Sequence, residues 1–366
     1  MRLPCVINLS FVGTRRTGIA NYAINLVSNL TLEPALLLAP PGIAELETAP
    51  SDRTWVHKPI SSRMSADHGK RGHINRLWWT QVHLPKMYHQ HGGQLLFSPV
   101  PEAPLFSSCR TVVMVHDLIP LRFPCWTSPL TPYFRFYVPM VLQQATHIVC
   151  NSKATAQDIM DWFGISARHI TPIPLAYDDQ RFHPVSMPRH NYFLYVGRHD
   201  PHKNLARVLQ AFAALPNRQA YELRLVGPVD RRYTPKLMQL ARSLGISPQV
   251  RWLNYVPSAE LLQLFAGAIA LVFPSLWEGF GIPVLEAMAC GTPVITSTVA
   301  ALPEVAGSAA LLVDPTHIRA IAAAMHQLAT DETARSQLRH AGFAHIEHFS
   351  WRKTGQLTSS VLEQFL

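Results

Sequence analysis

Twice along this chain, apolar runs of strand length alternate with amphipathic helical stripes, a repetition that confines the fold to two layered α/β units. In the first half, strands are predicted at 5–9, 35–39, 95–98, 111–115 and 147–150. Ile19, Ala23, Leu26, Val27 and Leu30 recur at helical spacing behind the loop 12–18. A proline- and aromatic-rich stretch, 99–139, predicts long loops and a helix over 133–144. Residues 178–189 have little periodic apolar character and two prolines, and read as a linker. A second series follows, with strands at 192–196, 222–226, 250–253, 268–274, 293–296 and 310–313. Its helices are expected at 204–214, 235–243, 258–266, 283–289 and 316–328. Two more helices, 331–346 and 351–365, close the chain. The last is amphipathic with no strand left to pair, so it is expected to pack back across the first domain. The expected fold is therefore two doubly wound Rossmann-like domains, one of 1–185 with the crossing helix 351–366 and one of 186–350.

A chain of 366 residues is long enough to bury two such cores. No apolar stretch reaches the length of a membrane span. The segment 4–12 carries Asn8 and Ser10 and lacks a small-residue cleavage pattern, so no secretory leader is expected. Five cysteines without paired spacing fit reduced thiols and a cytoplasmic location. Eighteen histidines form no HxxxH or CxxC cluster, so no metal site is expected. The formal net charge of +9 is concentrated in 53–86, where Arg53, Lys58, Arg63, Lys70, Arg71, Arg76 and Lys86 face only Asp67, with Trp78 and Trp79 between them. A solvated loop, an anionic membrane surface and a patch for a phosphorylated acceptor all fit that composition. No nucleic-acid recognition motif accompanies it, and no nucleic-acid partner is expected.

Two loops carry the chemistry. Glu278 and Glu286 flank a turn, WEGFGIPVLEA, that follows an apolar strand. Two glycines and Pro283 keep both acids off one helix, which places Glu278 in the loop and Glu286 on the helix that Pro283 opens. The backbone N–H groups of Phe280, Gly281 and Ile282 then form an anion site at a helix N-terminus. A nucleotide-sugar fits, with its diphosphate on the N–H groups and its hydroxyl-rich rings on the two acids. The alternative is a pair of merely solvated glutamates. The second loop, VGRHDPHKN over 196–204, brings Arg198 and Lys203 to a strand's carboxyl end, where open α/β sheets bind ligands. Two cations there suit a diphosphate leaving group.

Taken in order, GTRRTGIANY (13–22), VHDLIPL (115–121), NSKATAQDI (151–159), VGRHDPHKN, EGFGIPVLEAMACGTPVI (278–295), LPEVAG (302–307) and FSW (349–351) resemble the retaining glycosyltransferases of family 4. The resemblance covers nearly the whole chain. It implies the GT-B architecture, with the active site in a cleft between the domains and the last helix crossing back to the first. It implies that Glu286 accepts hydrogen bonds from the donor ribose and Glu278 from the transferred sugar, while Arg198 and Lys203 neutralise the diphosphate. His116 resembles the family's sugar-contacting histidine, unless it only caps its strand beside Asp117. Gly18, with Gly13, lets a loop approach the donor or acceptor, unless it is a plain tight turn. The reaction implied is substitution at the anomeric carbon with retention, metal-independent, since Arg198, Lys203 and a helix N-terminus supply positive charge and no Asp-x-Asp motif is present.

The blocks VHDLIPL and Trp78, Trp79, Leu84, Pro85 look like bacterial polysaccharide mannosyltransferases that use GDP-mannose. UDP-glucose, UDP-galactose or a deoxysugar donor would need few changed contacts. The acceptor implied is a lipid-linked or growing surface glycan, such as that of lipopolysaccharide, met at the inner face of the plasma membrane. A non-catalytic glycan-binding scaffold and a nucleotide-sugar epimerase are the competing readings.

Overall fold

In a computed structural model that describes residues 3–14, 17–43, 46, 55–125 and 128–366, the chain divides into two compact units. One is Met1–Leu175 with Ser350–Leu366, and the other is Ala176–Phe349. Arg15 and Arg16 of the glycine loop and Arg53 of the basic segment lie outside the described residues. The division falls ahead of 178–189, where the sequence suggests a linker. The reason is Phe182, which is buried and sets its ring edge-on to Phe265 at 5.8 Å, so this segment is already part of the second unit.

The first unit is built on seven parallel strands in the order β3-β2-β1-β4-β5-β6-β7. They are β1 (Cys5–Asn8), β2 (Ala35–Ala39), β3 (Val56–Pro59), β4 (Leu95–Ser98), β5 (Thr111–Val115), β6 (His147–Cys150) and β7 (Ile170–Pro172). Five lie where the apolar runs place them. β3 and β7 escape the sequence pattern because they are the two edges of the sheet: VHKP is half-exposed, and β7 has three residues. The inner strands are buried on both faces, as a parallel sheet covered by helices requires. In-register pairs such as Val6↔Leu96 and Val113↔Ile148 put Val6, Leu36, Leu38 and Leu96 on one face under Leu84 and Tyr88. Val113, Val115 and Ile148 continue it under Val138, Val141 and Ile159.

The helices Gly69–Val82 and Leu84–Gln90 occupy the basic segment that composition alone leaves as a possible loop. The first shows no apolar stripe because an ion pair replaces it. Arg76 points inward and donates Nε and Nη2 to Glu102 Oε2 and Oε1, each at 2.7 Å, with Glu102 only 2% exposed. The helix expected over 133–144 begins instead as a π turn, Tyr133–Tyr137, and becomes α at Val138–Gln144. Pro139 has no N–H to give the preceding turn, which widens. The closing helix, Trp351–Glu363, belongs to the first unit, as its amphipathic pattern suggested. It lies against the helix Gly18–Asn29: Ser359 Oγ accepts from Thr31 N at 2.8 Å, and Thr354 Oγ1 donates to Pro174 O at 2.8 Å. Gly355 makes the close approach possible, since a Cβ there would sit 2.1 Å from Asn29 O.

The second unit has six parallel strands in the order β10-β9-β8-β11-β12-β13. They are β8 (Tyr192–Val196), β9 (Glu222–Val226), β10 (Val250–Leu253), β11 (Ala270–Phe273), β12 (Val294–Ser297) and β13 (Leu311–Val313). The chain moves outward from β8 through β9 to β10, then returns to the other side of β8 with β11. The switch point, where ligands enter sheets of this kind, thus lies between the carboxyl ends of β8 and β11. Of its α-helices, only Leu302–Ala306, five residues long, has no counterpart in the sequence pattern; the 3-10 turns Pro201–Lys203, Arg218–Ala220 and Ser247–Gln249 are too short to leave one. No helix among the described residues is long and apolar enough to cross a membrane.

Candidate functional site

The loops leaving β8 and β11 are stitched together before any charged group is considered. Asn204 adopts a left-handed φ of 64° and donates its Nδ2 to Pro274 O at 2.9 Å and Pro315 O at 2.6 Å. Leu276 N donates to His202 O at 2.7 Å, and Tyr195 hydroxyl donates to Arg198 O at 2.8 Å. Asn204 is the residue the sequence motif contained without its role being read. An Asn directly ahead of a helix is among the few side chains that tolerate the left-handed region.

This frame sets Lys203 and Glu278 face to face across the switch point. Lys203 Nζ donates to both carboxylate oxygens of Glu278, at 2.7 and 2.8 Å, and lies 5.5 Å above the Phe273 ring. Glu278 is 7% exposed. The pair is thus largely withdrawn from water, and each partner keeps spare capacity. An ammonium has three donors and spends two here, and a carboxylate accepts up to about four hydrogen bonds. Arg198 stands apart, exposed, with Nε on Asp200 Oδ2 at 2.8 Å.

The helix after β11 runs Ile282–Ala289 and starts behind Gly281, whose φ of 109° suits glycine. A Cβ at Gly281 would meet Leu302 Cδ2 at 2.6 Å. No side chain caps this helix. Among the described residues no acceptor is recorded for the N–H groups of Phe280, Gly281 and Ile282, which carry the positive end of the helix dipole. The Phe280 side chain is buried, edge-on to Phe349 at 6.2 Å, so its contribution to a ligand is its backbone. Glu286, one turn into the helix, is half-buried. Burial first, then the nearby Asp178 carboxylate, pushes its carboxyl up to about 7, against the opposing pull of Arg181. Asp178 and Arg181, themselves paired at 2.9 Å, were invisible as site neighbours in the sequence, where they sit in a nonperiodic segment.

In the first unit, His116 follows β5 and its Nε2–H donates to Pro99 O at 2.9 Å, the tautomer following from the carbonyl partner. Its ring meets Tyr22 edge-on at 4.6 Å, and its own carbonyl accepts from Asn151 Nδ2 at 2.7 Å. Asp117 caps a different turn, accepting from Ile119 N at 2.9 Å. Burial lowers the His116 pKa to about 4, so the ring is neutral at physiological pH, with Nδ1 the nitrogen left as an acceptor. Gly18 opens the helix Gly18–Asn29 behind an N-cap, Thr17, whose Oγ1 accepts from Ala20 N at 3.2 Å. A Cβ at Gly18 would touch nothing within 4 Å, so packing does not demand glycine there. Gly13 is different, because a Cβ would lie 2.4 Å from Asp67 Oδ2, the atom that also holds Thr14 N at 2.7 Å. The structure therefore brings Lys203 to Glu278, sets the bare helix N-terminus and Glu286 on the element that follows, and leaves Arg198 with Asp200. No group of three or more His, Cys, Asp or Glu among the described residues is placed to hold a metal.

Comparison with known proteins bears on both units. Residues 17–181 match the family model described as Glycosyltransferase Family 4, and residues 177–345 the model described as Glycosyl transferases group 1. The O-antigen chain mannosyltransferase B of Escherichia coli is 41% identical over 163 residues, 44% of this chain and 42% of that protein. The serotype-specific mannosyltransferase WbdA of Escherichia coli is 30% identical over 266 residues, 68% of this chain and 32% of that protein. The chain thus spans less than half the length of these two relatives. Among solved structures, HepE of Anabaena in complex with UDP and glucose superposes with a TM-score of 0.75 at 18% identity, covering 99% of this chain and all of that one. At that identity the likeness shows the fold, which is the GT-B fold of two Rossmann-like units.

Proposed function

We propose, for a chain that belongs to the glycosyltransferases of family 4 and group 1, that it transfers mannose from GDP-mannose, with retention, to a lipid-linked or polysaccharide acceptor in surface-glycan synthesis. The observation that carries the reading is the withdrawn Lys203–Glu278 pair at the switch point, joined to an uncapped helix N-terminus. A donor diphosphate answers both features, accepting hydrogen bonds from the third N–H of the Lys203 ammonium and from the N–H groups of Phe280, Gly281 and Ile282. Arg198 is the outer cation, able to exchange Asp200 for phosphate. Glu286 accepts from the ribose hydroxyls, and Glu278 accepts from the transferred sugar while fixing Lys203. His116, neutral, presents an acceptor nitrogen to the sugar, and the open space over Gly18 admits donor or acceptor. Two mannosyltransferases among the similar proteins support the choice of sugar.

In the step proposed, the bond from the anomeric carbon to the β-phosphate oxygen breaks and the acceptor oxygen bonds to that carbon on the same face. The acceptor's proton passes to the departing phosphate, and GDP leaves. Lys203, Arg198 and the helix dipole gain strength as charge builds on that phosphate. They supply the positive charge that a divalent ion provides elsewhere, so turnover is expected to survive a chelator. Neither glutamate serves as a nucleophile, since Glu278 is held by Lys203 and Glu286 faces the ribose. The enzyme is proposed to work in the cytoplasm, peripherally at the inner face of the plasma membrane. Incubation with a panel of nucleotide-sugars tests the reading. Release of GDP from GDP-mannose, by transfer or hydrolysis, supports it. Turnover of a different donor overturns the sugar assignment, interconversion of sugars indicates an epimerase, and silence with retained glycan binding indicates a scaffold.

A further inference from the structure

Arg76 does more than close on Glu102. Its Nη2, already bound to that carboxylate, also donates to His73 Nδ1 at 2.9 Å, and its Nη1 donates to Met64 O at 3.2 Å. A guanidinium has no lone pair to offer, so Nδ1 of His73 is the acceptor. Burial lowers the His73 pKa, and Arg76 adds to that against the pull of Glu102, so the ring is neutral at physiological pH. A neutral ring that accepts at Nδ1 carries its proton on Nε2. That nitrogen has no recorded partner among the described residues, and the His73 side chain is 19% exposed.

The rest of the ring is held. Its edge meets Tyr133 at 5.0 Å, and the Tyr133 hydroxyl stands 3.3 Å from Glu102 Oε1 and 3.2 Å from Pro101 O. Gly72 lets the helix that carries His73 start close against the preceding turn, since a Cβ there would lie 2.3 Å from Ser65 O. Glu102 already accepts both arms of the Arg76 fork, so the ion pair closes without the histidine. The pair instead orients the ring, as buried partners orient a side chain that meets a ligand.

His73 lies at the end of the sheet where the first unit has its own switch point. The chain moves outward from β1 through β2 to β3 and returns beside β1 with β4, so that point falls at the carboxyl ends of β1 and β4, marked by the fully buried polar residues Asn8 and Ser98. Met64 and Glu102, which hold Arg76, lie just beyond β3 and β4. His116, just beyond β5, is anchored on the same segment as Glu102, at Pro99 O. One short stretch, 99–102, thus fixes two neutral rings of opposite character: His116 keeps an acceptor nitrogen, and His73 keeps a donor.

We propose that His73 contacts the acceptor glycan, its Nε2–H donating to a hydroxyl or ring oxygen of the acceptor sugar, with Arg76 and Glu102 as the positioning pair that fixes its tautomer. A donor on the attacking hydroxyl would draw electron density from the atom that must reach the anomeric carbon, so the oxygen held is a neighbouring one. His73 therefore orients the acceptor and takes no proton. The ring is neutral and the pair behind it sums to no charge, which suits a neutral oxygen better than a phosphate. The inference rests on the transferase reading for the identity of its ligand.

Octyl α-mannoside, which carries no phosphate, is the probe. With GDP-mannose as donor, His73→Ala should raise the KM for the mannoside about three- to tenfold, the loss of one neutral hydrogen bond, while the KM for GDP-mannose holds. His73→Gln, whose amide N–H reaches the place of Nε2, should recover most of that loss, which a ring needed only for packing would not allow. Arg76→Met with Glu102→Gln removes both charges together and should show the same rise, because the ring is then free to take the other tautomer. Nitrogen-15 spectra of the histidine side chains read the contact without turnover. The parent should show the His73 proton on Nε2, with a signal that shifts on titration with octyl α-mannoside and not with inorganic phosphate. A mannoside KM that His73→Ala leaves alone, a GDP-mannose KM that rises in step, a proton on Nδ1, or a signal that the mannoside does not move would each overturn the proposal. A shift saturated by phosphate alone would give the ring to an anion and overturn it too. A parent that releases no nucleotide from GDP-mannose contradicts the transferase reading instead, and the His73 signal then still reports whether the mannoside meets the ring.

Discussion

At the scale of single residues, Lys203 and Glu278 each lose a partner withdrawn from water when the other is removed. Lys203→Met strands a carboxylate that is 7% exposed, and should cost about 1–3 kcal/mol in urea unfolding. Adding Glu278→Gln to that variant removes the stranded charge and should return much of the stability without returning turnover. A single variant already as stable as the parent would mean that the pair is not closed in solution. Glu286 makes a prediction about pH. Its carboxyl is pushed up to about 7, whereas hydroxyl donors from a ribose favour the carboxylate. Donor binding must then lower that pKa and release a proton. Affinity, measured by calorimetry in two buffers, should therefore rise as pH climbs through about 7 and level off above it, and the rise should vanish in Glu286→Gln. A pH-independent affinity in the parent would remove Glu286 from the ribose. The two acids were legible in the sequence, but the bond of one to Lys203 was not, because motif spacing says nothing about which cation closes on which anion. Asp178 and Arg181 were missed for a related reason, since no periodicity marks a residue that acts by proximity across the chain.

Elements were legible where burial is regular and hidden where polar chemistry substitutes for it. The inner strands, uniformly apolar because both faces are covered, stood out in the sequence. The helix Gly69–Val82 did not, because Arg76 and Glu102 occupy the place of an apolar stripe. β3 and β7, at the sheet edges, are too short or too polar to signal themselves. The terminal helix was foreseen from its amphipathic pattern alone, and small and hydroxylated residues at 354, 355, 358 and 359 explain how closely it packs. The helix Ile282–Ala289 supplies the prediction that belongs to this scale. Gly281→Ala forces a Cβ into the left-handed region and toward Leu302, which should cost about 1–2 kcal/mol for the backbone alone. It should also move the free N–H groups, so donor affinity should fall more than stability explains. Unaltered donor affinity in a folded Gly281→Ala protein would separate this helix start from the ligand.

The whole molecule has a weakness toward acid that follows from its histidines. His73, His116, His147, His199 and His202 all have pKa values lowered by burial, and each must gain a proton that the folded environment resists. For groups depressed in the folded state, the stabilisation is complete above the unfolded value near 6.5 and is lost as pH falls through the folded values, about 4 for His116. Between about 6.5 and 4 the thermal midpoint should drop, because the several histidines outweigh the single raised carboxyl of Glu286, which acts in the opposite direction and loses its contribution as pH rises through about 7, and His116→Gln should flatten part of the slope. A midpoint unchanged across that interval would mean that these rings are not held neutral. The proposed donor site requires the diphosphate to lie at the start of the helix Ile282–Ala289. Titration of GDP into 15N-labelled protein reads that directly. The amide resonances of Phe280, Gly281 and Ile282 should move downfield and saturate together with the bound fraction. Saturation of the protein with those three amides unmoved would place the nucleotide elsewhere and contradict the account.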